Sequence, residues 1–517
     1  REINKIEEGY LTPRINGSKY YGSIGYWNHS QYDSVKKSFI NYMPRLQAFC
    51  DQIANEGQCA EPAFGNLASA YLSWIKGDYK KGLKSLDALK GAKISARLND
   101  QEQLLRLLLL SQSVTKLDDS TEHMLLPALT WLDKKVKHEI FLKRPGPPWY
   151  WEDYDLKYFS TSSRDFYAKV LAPIYLKQKD TARAALCILR SEKTNPHFYQ
   201  GNEEPGPGFD MPDFWQTHLH SYHLKTIINW EKSSVKTPYL RLLTSGMDKN
   251  TMYSIYAICG TAYLREHKYG AAARAFSCIP SPKKEKKQRD IEPGDDLVGS
   301  VDPFIGNLHD YPKQYLAKGQ RGYSPLTFAK TMAALEKKIK SDPDQAAGYY
   351  FKMANGLYNT SYYGNAWEFT AYNWAAADMA RKPVYYYDND YIQERTAEKY
   401  YLKARALSKD IEFKARCTFM AAKCTQKRVI YPVHPDYDGN KKNFDKQYKI
   451  YDRKVDLYQQ KIQQNIYFTD LQQNYSKTKF YKLAVDECSY LRDFLSPEPI
   501  KKPNKLRVIV IDKNTSH

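Results

Sequence analysis

What the chain lacks narrows its function first. Its eight cysteines include no CxxC pair and none at a zinc-site spacing with histidine, so no metal-finger class is indicated. There is no glycine-rich phosphate loop, no nucleophile elbow and no kinase signature, which lowers the odds of an enzyme. No run approaches the ~20 apolar residues of a membrane span. The most leucine-rich stretch, Leu104–Leu110, is interrupted by Arg106. Glycine and proline are near average, and hydrophobic residues make up 42% of the 517, which excludes global disorder and leaves ample material for a core.

What is present is unusual in two respects. Forty-four tyrosines stand out. Tyrosine offers an apolar face and a polar tip, which suits both the seams between helices and surfaces that meet other molecules. The formal net charge is +20, from 78 basic and 58 acidic residues, and favours acidic partners. The basic residues are spread widely. The densest run, Lys283–Arg289, is flanked by proline and acid-rich sequence and reads as a solvated insertion, with no nucleic-acid motif beside it.

Periodicity carries the architectural information. Met252–Pro280 reads as one helix–turn–helix unit, in which Gly260 and Tyr263 precede a polar turn and Tyr269, Ala272, Phe276 and Ile279 follow it. Small residues at 260 and 272 allow two antiparallel helices to approach, and the large ones fill the seams. Leu67–Leu89 repeats the order, with Ala70 small, Gly77-Asp78-Tyr79 as the turn, and Gly82 and Leu86 on the second helix. In Leu471–Leu491, the spacing of Tyr475, Tyr481, Ala484, Cys488 and Leu491 matches that of Tyr263, Tyr269, Ala272, Phe276 and Ile279. A weaker unit is expected over Met353–Thr370, from Ala354, Leu357, Tyr363 and Ala366. Ala397, Tyr401, Ala404 and Asp410 read as a second helix with its stop, leading into Phe413–Cys424. Such units cannot bury their apolar faces alone, so they imply stacking.

This order of small, aromatic, turn, aromatic, small and large residues resembles the tetratricopeptide repeat, whose period is about 34 residues. The expected fold is therefore all-α: a tetratricopeptide-like solenoid of helical hairpins with long irregular insertions. In general character the Lys/Tyr/Asn-rich chain, beginning Arg1-Glu2-Ile3, also resembles the exported, lipid-anchored tetratricopeptide-type proteins of Bacteroidota outer-membrane machines. These include type 9 secretion accessory subunits and SusD-like lipoproteins. That resemblance implies a periplasmic or cell-surface location, attachment through a lipid anchor outside the given sequence, and protein partners in a multi-subunit complex.

Punctuation divides the chain into an extended lead-in at 1–45, a helical region at 46–280, a linker at 281–324, a second helical region at 325–495 and an extended tail at 496–517. Within these, Pro127 is expected to start or kink the helix of Glu122–Phe141, and Pro173 to kink that of Arg164–Leu176. Leu506–Ile511 is the one strand-like run.

Candidate chemistry is thin. His218, His220 and His223 form HLHSYH near Asp210 and Asp213, but on a helix His218 points ~160° away from His220, so interfacial histidines are the better reading. Asp388-Asn389-Asp390 lacks the glycine and distal glutamate of a calcium loop. Trp149, Trp151 and Tyr154, in an aromatic-acidic loop, and Tyr386, Tyr387 and Tyr391, in a Tyr/Asp-rich insertion, are the candidate contacts to a partner or ligand. The adjacent Glu152 and Asp153 do not make a glycosidase pair, which must face a bond from two sides. Cys259 with Cys278, and Cys50 with Cys59, are close enough in the pattern to pair, although free thiols are the default. No catalytic residue, metal or cofactor is expected. The function indicated is a non-enzymatic scaffold for protein–protein interaction, with a glycan- or peptide-binding surface protein and an RNA-associated repeat protein as alternatives.

Overall fold

The computed structural model describes residues 44–56, 61, 63–92, 94–141, 158–193, 214–280, 302–311, 322–375, 382–435, 439 and 441–495. Among these the chain is all-α, with no strand. The expected lead-in as far as residue 43, the Trp149–Tyr154 loop, the Lys283–Arg289 run and the tail with Leu506–Ile511 lie outside the described residues, and residues 44 and 45 are already helical. The chain forms two compact units, one from Arg1–Trp215 and Tyr222–Ile255, the other from Gln216–Ser221 and Tyr256–His517. Residues 302–311, within the stretch read as a linker, are built into the second unit, with Phe304 in its core.

In the first unit, Ala63–Lys76 and Tyr79–Asp87 form a hairpin around a turn at Gly77 (φ +79°), where a side chain would be strained. Asp78 caps the second helix by accepting from Lys81 N at 3.1 Å. Leu67, Ala70, Trp74, Leu86 and Leu109 close the seam with Ala96–Ser113. Gly82 allows a close approach there, since a Cβ would lie 2.6 Å from a Leu109 methyl, which would have to shift. The next helix, Asp119–Phe141, runs on through Pro127, so it does not start at that proline. At Pro173 the helical run Tyr158–Lys177 continues, and the turns just before the proline, Phe166–Leu171, are π-helical, with Ala172 N–H bonded to Tyr167 O.

In the second unit, helices follow one another like pages. Tyr269–Phe276 packs on Pro325–Ser341, which packs on Ala346–Asn359, then Arg395–Leu407, Ile411–Gln426 and Ile466–Tyr475, with Lys479–Glu487 against Ile411–Gln426. Side chains tie successive members together. Glu412 accepts from the N–H groups of Lys479 (2.8 Å) and Phe480 (3.0 Å), capping the later helix from the earlier. Asn465 caps its own helix and donates to Ala422 O at 2.9 Å.

The Met252–Pro280 unit forms as a hairpin, with helices Lys249–Arg265 and Tyr269–Phe276. Gly260 faces the Phe276 ring so closely that a Cβ would lie 2.5 Å from it. Tyr269 and Ala272 are buried, and Tyr263 packs beside them. At the C-terminal end, Tyr475 closes Ile466–Tyr475, Ala484 is buried in Lys479–Glu487, Tyr481 packs against the core, and Cys488 sits in the break before Ser489–Leu495. The weaker unit over Met353–Thr370 does not form a hairpin. Its first helix is present, but Tyr363 and Ala366 lie in an irregular turn. Ala366 N bonds back to Asn359 O at 2.8 Å, and Gly364 touches the Asn359 backbone where no Cβ fits, so the chain reverses too tightly for a second helix.

Candidate functional site

The densest set of perturbed groups lies in the second unit, around the Tyr/Asp-rich insertion and the turn after Ala346–Asn359. Local rules build the insertion. Asp388, fully buried, accepts from Val384 N (2.7 Å) and Tyr385 N (2.8 Å), folding the chain into the short helix Asp388–Tyr391. Asp390 accepts from Thr396 N at 2.8 Å and pairs with His267 Nε2 at 3.0 Å, so the insertion is pinned both to the following helix and to the hairpin turn after Arg265. Burial alone would raise the Asp390 carboxyl; the His267 and Thr396 contacts outweigh it and hold it below the usual range.

Tyrosine rings take up the remaining space. Tyr387 and Tyr391 are buried, and Tyr386 is partly buried against the same core. These three candidate contacts therefore serve as packing: Tyr386 stacks on His220 at 4.0 Å and donates to Leu219 O at 3.3 Å. Tyr387 lies under the Arg265 guanidinium, 3.7 Å from its ring centre. Arg265 donates from Nε to Thr370 O at 2.7 Å and from Nη1 to Gln216 O, while its Nη2 has no hydrogen-bond partner. Beside it is a cavity of about 30 Å³ lined by Arg265, His267, Tyr269, Ser361, Thr370 and Asp390 among others. That volume suits one or two waters and excludes a sugar or peptide.

A second buried nest adjoins the turn. The Asp310 carboxylate receives Lys423 Nζ at 3.0 Å, Lys427 Nζ, Tyr358 Oη–H at 2.5 Å and Tyr490 Oη–H at 2.8 Å. Lys423 also donates to Leu308 O at 2.9 Å, and Lys427 lies 4.2 Å from the Tyr363 ring centre and 4.4 Å from that of Tyr490. Burial opposes the Asp310 charge, but the two ammonium groups hold its carboxyl well below the ordinary range. Four segments distant in sequence are thereby riveted together: 302–311, Ala346–Asn359, Ile411–Gln426 with its cap Lys427, and Ser489–Leu495.

Glu394 completes the set and behaves oppositely. It precedes Arg395–Leu407 with left-handed backbone (φ 54°), and neither carboxyl oxygen has a hydrogen-bond partner. The nearby Ser361 hydroxyl donates to Tyr358 O at 2.7 Å. Burial pushes the Glu394 carboxyl well above its usual value, with Asp390 and Asp310 adding to the rise against Ser361 and Lys427. The balance favours its neutral form.

Chemically, the arrangement immobilises loops. The Asp310 and Asp390 carboxylates are occupied by fixed partners. The histidine cluster does not converge: His218 ends a π-helical turn, His220 follows it in the break and reaches Glu266 at 3.5 Å, and His223 lies in the next helix. Among the described residues no group of three or more His, Cys, Asp or Glu could hold a metal. The seven described cysteines are free thiols, including Cys50, Cys259 and Cys278; burial pushes Cys259 and Cys417 up to about 12. Asp310, Lys423, Lys427, Arg265 and Glu394 carry no motif in sequence. Only Asp390 stood in a segment that composition singled out. The chain matches no protein-family model, no curated protein and no solved structure.

Proposed function

We propose that this protein is a non-enzymatic helical scaffold, a tetratricopeptide-like array with irregular insertions, that holds other proteins of a larger assembly. In the same proposal the assembly is associated with an outer membrane, on its periplasmic or outer side, and works in secretion or nutrient uptake. One observation carries the reading: the helices Tyr269–Phe276, Pro325–Ser341, Ala346–Asn359, Arg395–Leu407 and Ile411–Gln426 each pack on the next, so that each buries apolar side chains against its neighbours. An array of this kind offers long lateral surfaces, and the rivets around Asp310 and Asp390 hold the insertions in one conformation on it. A fixed insertion loses little entropy when a partner docks, which favours binding over a flexible loop.

The test is isolation of the full chain from native membranes in mild detergent after brief cross-linking. Defined partners at fixed stoichiometry, retained through size exclusion, are expected. A chain that elutes alone sinks the scaffold reading. A thermal shift with an oligosaccharide panel, lost in Trp151→Ala, would replace it with glycan binding.

A further inference from the structure

The helix Lys441–Gln463 has two faces of opposite chemistry. Inward, Phe444, Tyr448, Tyr451, Val455 and Tyr458 lie along one stripe, with Tyr451 and Val455 buried. Tyr431 and His434 cover this stripe: Tyr431 meets the Tyr451 hydroxyl at 3.1 Å and the Tyr458 ring at 5.1 Å, and His434 meets the rings of Tyr448 (5.5 Å) and Tyr451 (5.1 Å). Outward, successive residues turn by ~100°, so Lys446, Arg453, Lys454, Leu457 and Lys461 fall within about 60° of Ile450. All six are exposed. The three acids of the helix, Asp445, Asp452 and Asp456, fall more than about 100° from Ile450 on the same geometry. The outward face therefore carries four cations and two aliphatics, Ile450 (46% exposed) and Leu457 (54%), and no acid.

We infer that this face docks on an anionic lipid bilayer. Its cations have no compensating acids on the face, so the complementary surface must be negative. The composition separates a lipid surface from a protein one. Protein interfaces are enriched in Tyr, Trp and Arg and depleted in Lys. In this tyrosine-rich chain the helix turns its tyrosines inward and leaves lysine outward with two aliphatics between. Clustered lysines at a helix surface suit lipid phosphates, each adding to the attraction, while their stems and the Ile450 and Leu457 side chains sink into the interfacial layer. At 1.5 Å per residue the helix is about 34 Å long, and its four cations spread over about 22 Å, matching an extended headgroup array. This is peripheral docking, since no described helix is long and apolar enough to cross a membrane. It stands apart from the scaffold reading, because it needs lipid alone and no partner protein.

Vesicle flotation with the full chain tests it. Phosphatidylcholine vesicles containing ~30% phosphatidylglycerol should carry the protein upward, pure phosphatidylcholine vesicles should not, and raising salt from ~50 to ~500 mM should weaken binding by more than tenfold. Replacing the four cations (K446Q, R453Q, K454Q and K461Q together) should reduce partition more than tenfold, with helicity by circular dichroism unchanged. Ile450→Ser with Leu457→Ser should reduce it several-fold and remove the binding that survives high salt. A control with equal charge loss elsewhere (K330Q, K337Q, K338Q and K340Q) should float as the parent does. Equal loss in the control would show general charge attraction and overturn the proposal. So would the absence of flotation with anionic vesicles, or capture by an acidic helical peptide without flotation.

Discussion

Each unit buries an arginine, and the two are compensated in different ways. Arg190 in the first unit meets the Asp133 carboxylate through Nη2, while Nη1 closes the end of Pro238–Thr244 by donating to Leu242 O (2.7 Å) and Ser245 Oγ (2.7 Å). Arg265 in the second unit forms no ion pair among the described residues; carbonyls and the Tyr387 and Tyr372 rings surround it. Both arginines donate to backbone carbonyls. The difference lies in how the charge is tolerated. An acid, with the Tyr167 ring 5.1 Å away, does it in one unit, and aromatic rings with carbonyls do it in the other, which is one use for so many tyrosines.

The largest effect expected from breaking this contrast is Asp133→Ala. It strands the Arg190 charge in a buried site, and unfolding followed by circular dichroism should show a loss of about 3–5 kcal/mol. Adding Arg190→Met should recover part of that loss, because the orphaned charge goes too; a double variant weaker than the sum of the single ones would remove this account. Arg265 has no such acid to delete.

The hairpin seams differ in the same two units. Gly260→Ala drives a Cβ against the Phe276 ring and should cost about 1–3 kcal/mol despite alanine's better helix propensity. Gly82→Ala should cost less, since it first meets the methyl end of Leu109. Equal melting temperatures for the two variants would erase the distinction.

Glu394 and Asp310 sharpen the comparison within the second unit, because their signs oppose. Glu394 has a folded pKa above its unfolded value, so it opposes folding once pH exceeds about 4.3, by up to about 1.4 kcal/mol per pH unit until the folded pKa is reached. Glu394→Gln should therefore match the parent near pH 4 and be the more stable at pH 7. Asp310 has a folded pKa below its unfolded value. Its contribution is complete above about pH 4 and drains away as pH falls, and Asp310→Asn should flatten that acid slope. If Glu394→Gln proves no more stable than the parent at pH 7, the upward shift of the Glu394 carboxyl is overturned.

The smallest change is Asp390→Asn, about 1 kcal/mol. It loosens the His267 contact without stranding Arg265, which is not its partner. A loss as large as that of Asp133→Ala would mean that Asp390 compensates Arg265 after all.

Local pattern made the hairpins legible. Gly260 with Phe276, Ala70 with Leu86, and Asp78 as a cap are short-range rules that hold wherever the chain goes. The Met353–Thr370 unit misled because Tyr363 and Ala366 have repeat spacing, yet Gly364 and the Ala366–Asn359 bond make a tight reversal that periodicity does not encode. Pro127 did not mark a helix start, because a proline inside a helix looks the same in sequence as one in its first turn. Tyr386, Tyr387 and Tyr391 were visible as a cluster, but whether such rings face solvent or core depends on what packs above them.

By itself, then, the sequence determined that this chain is helical, built of small-residue hairpins, rich in tyrosine and basic. Tertiary structure alone decided where charge is buried. Asp310 lies 113 and 117 residues from the lysines that hold it. Nothing local to any of them signals the nest, because a charge is stabilised by what surrounds it in space, and that neighbourhood exists only once the helices have stacked.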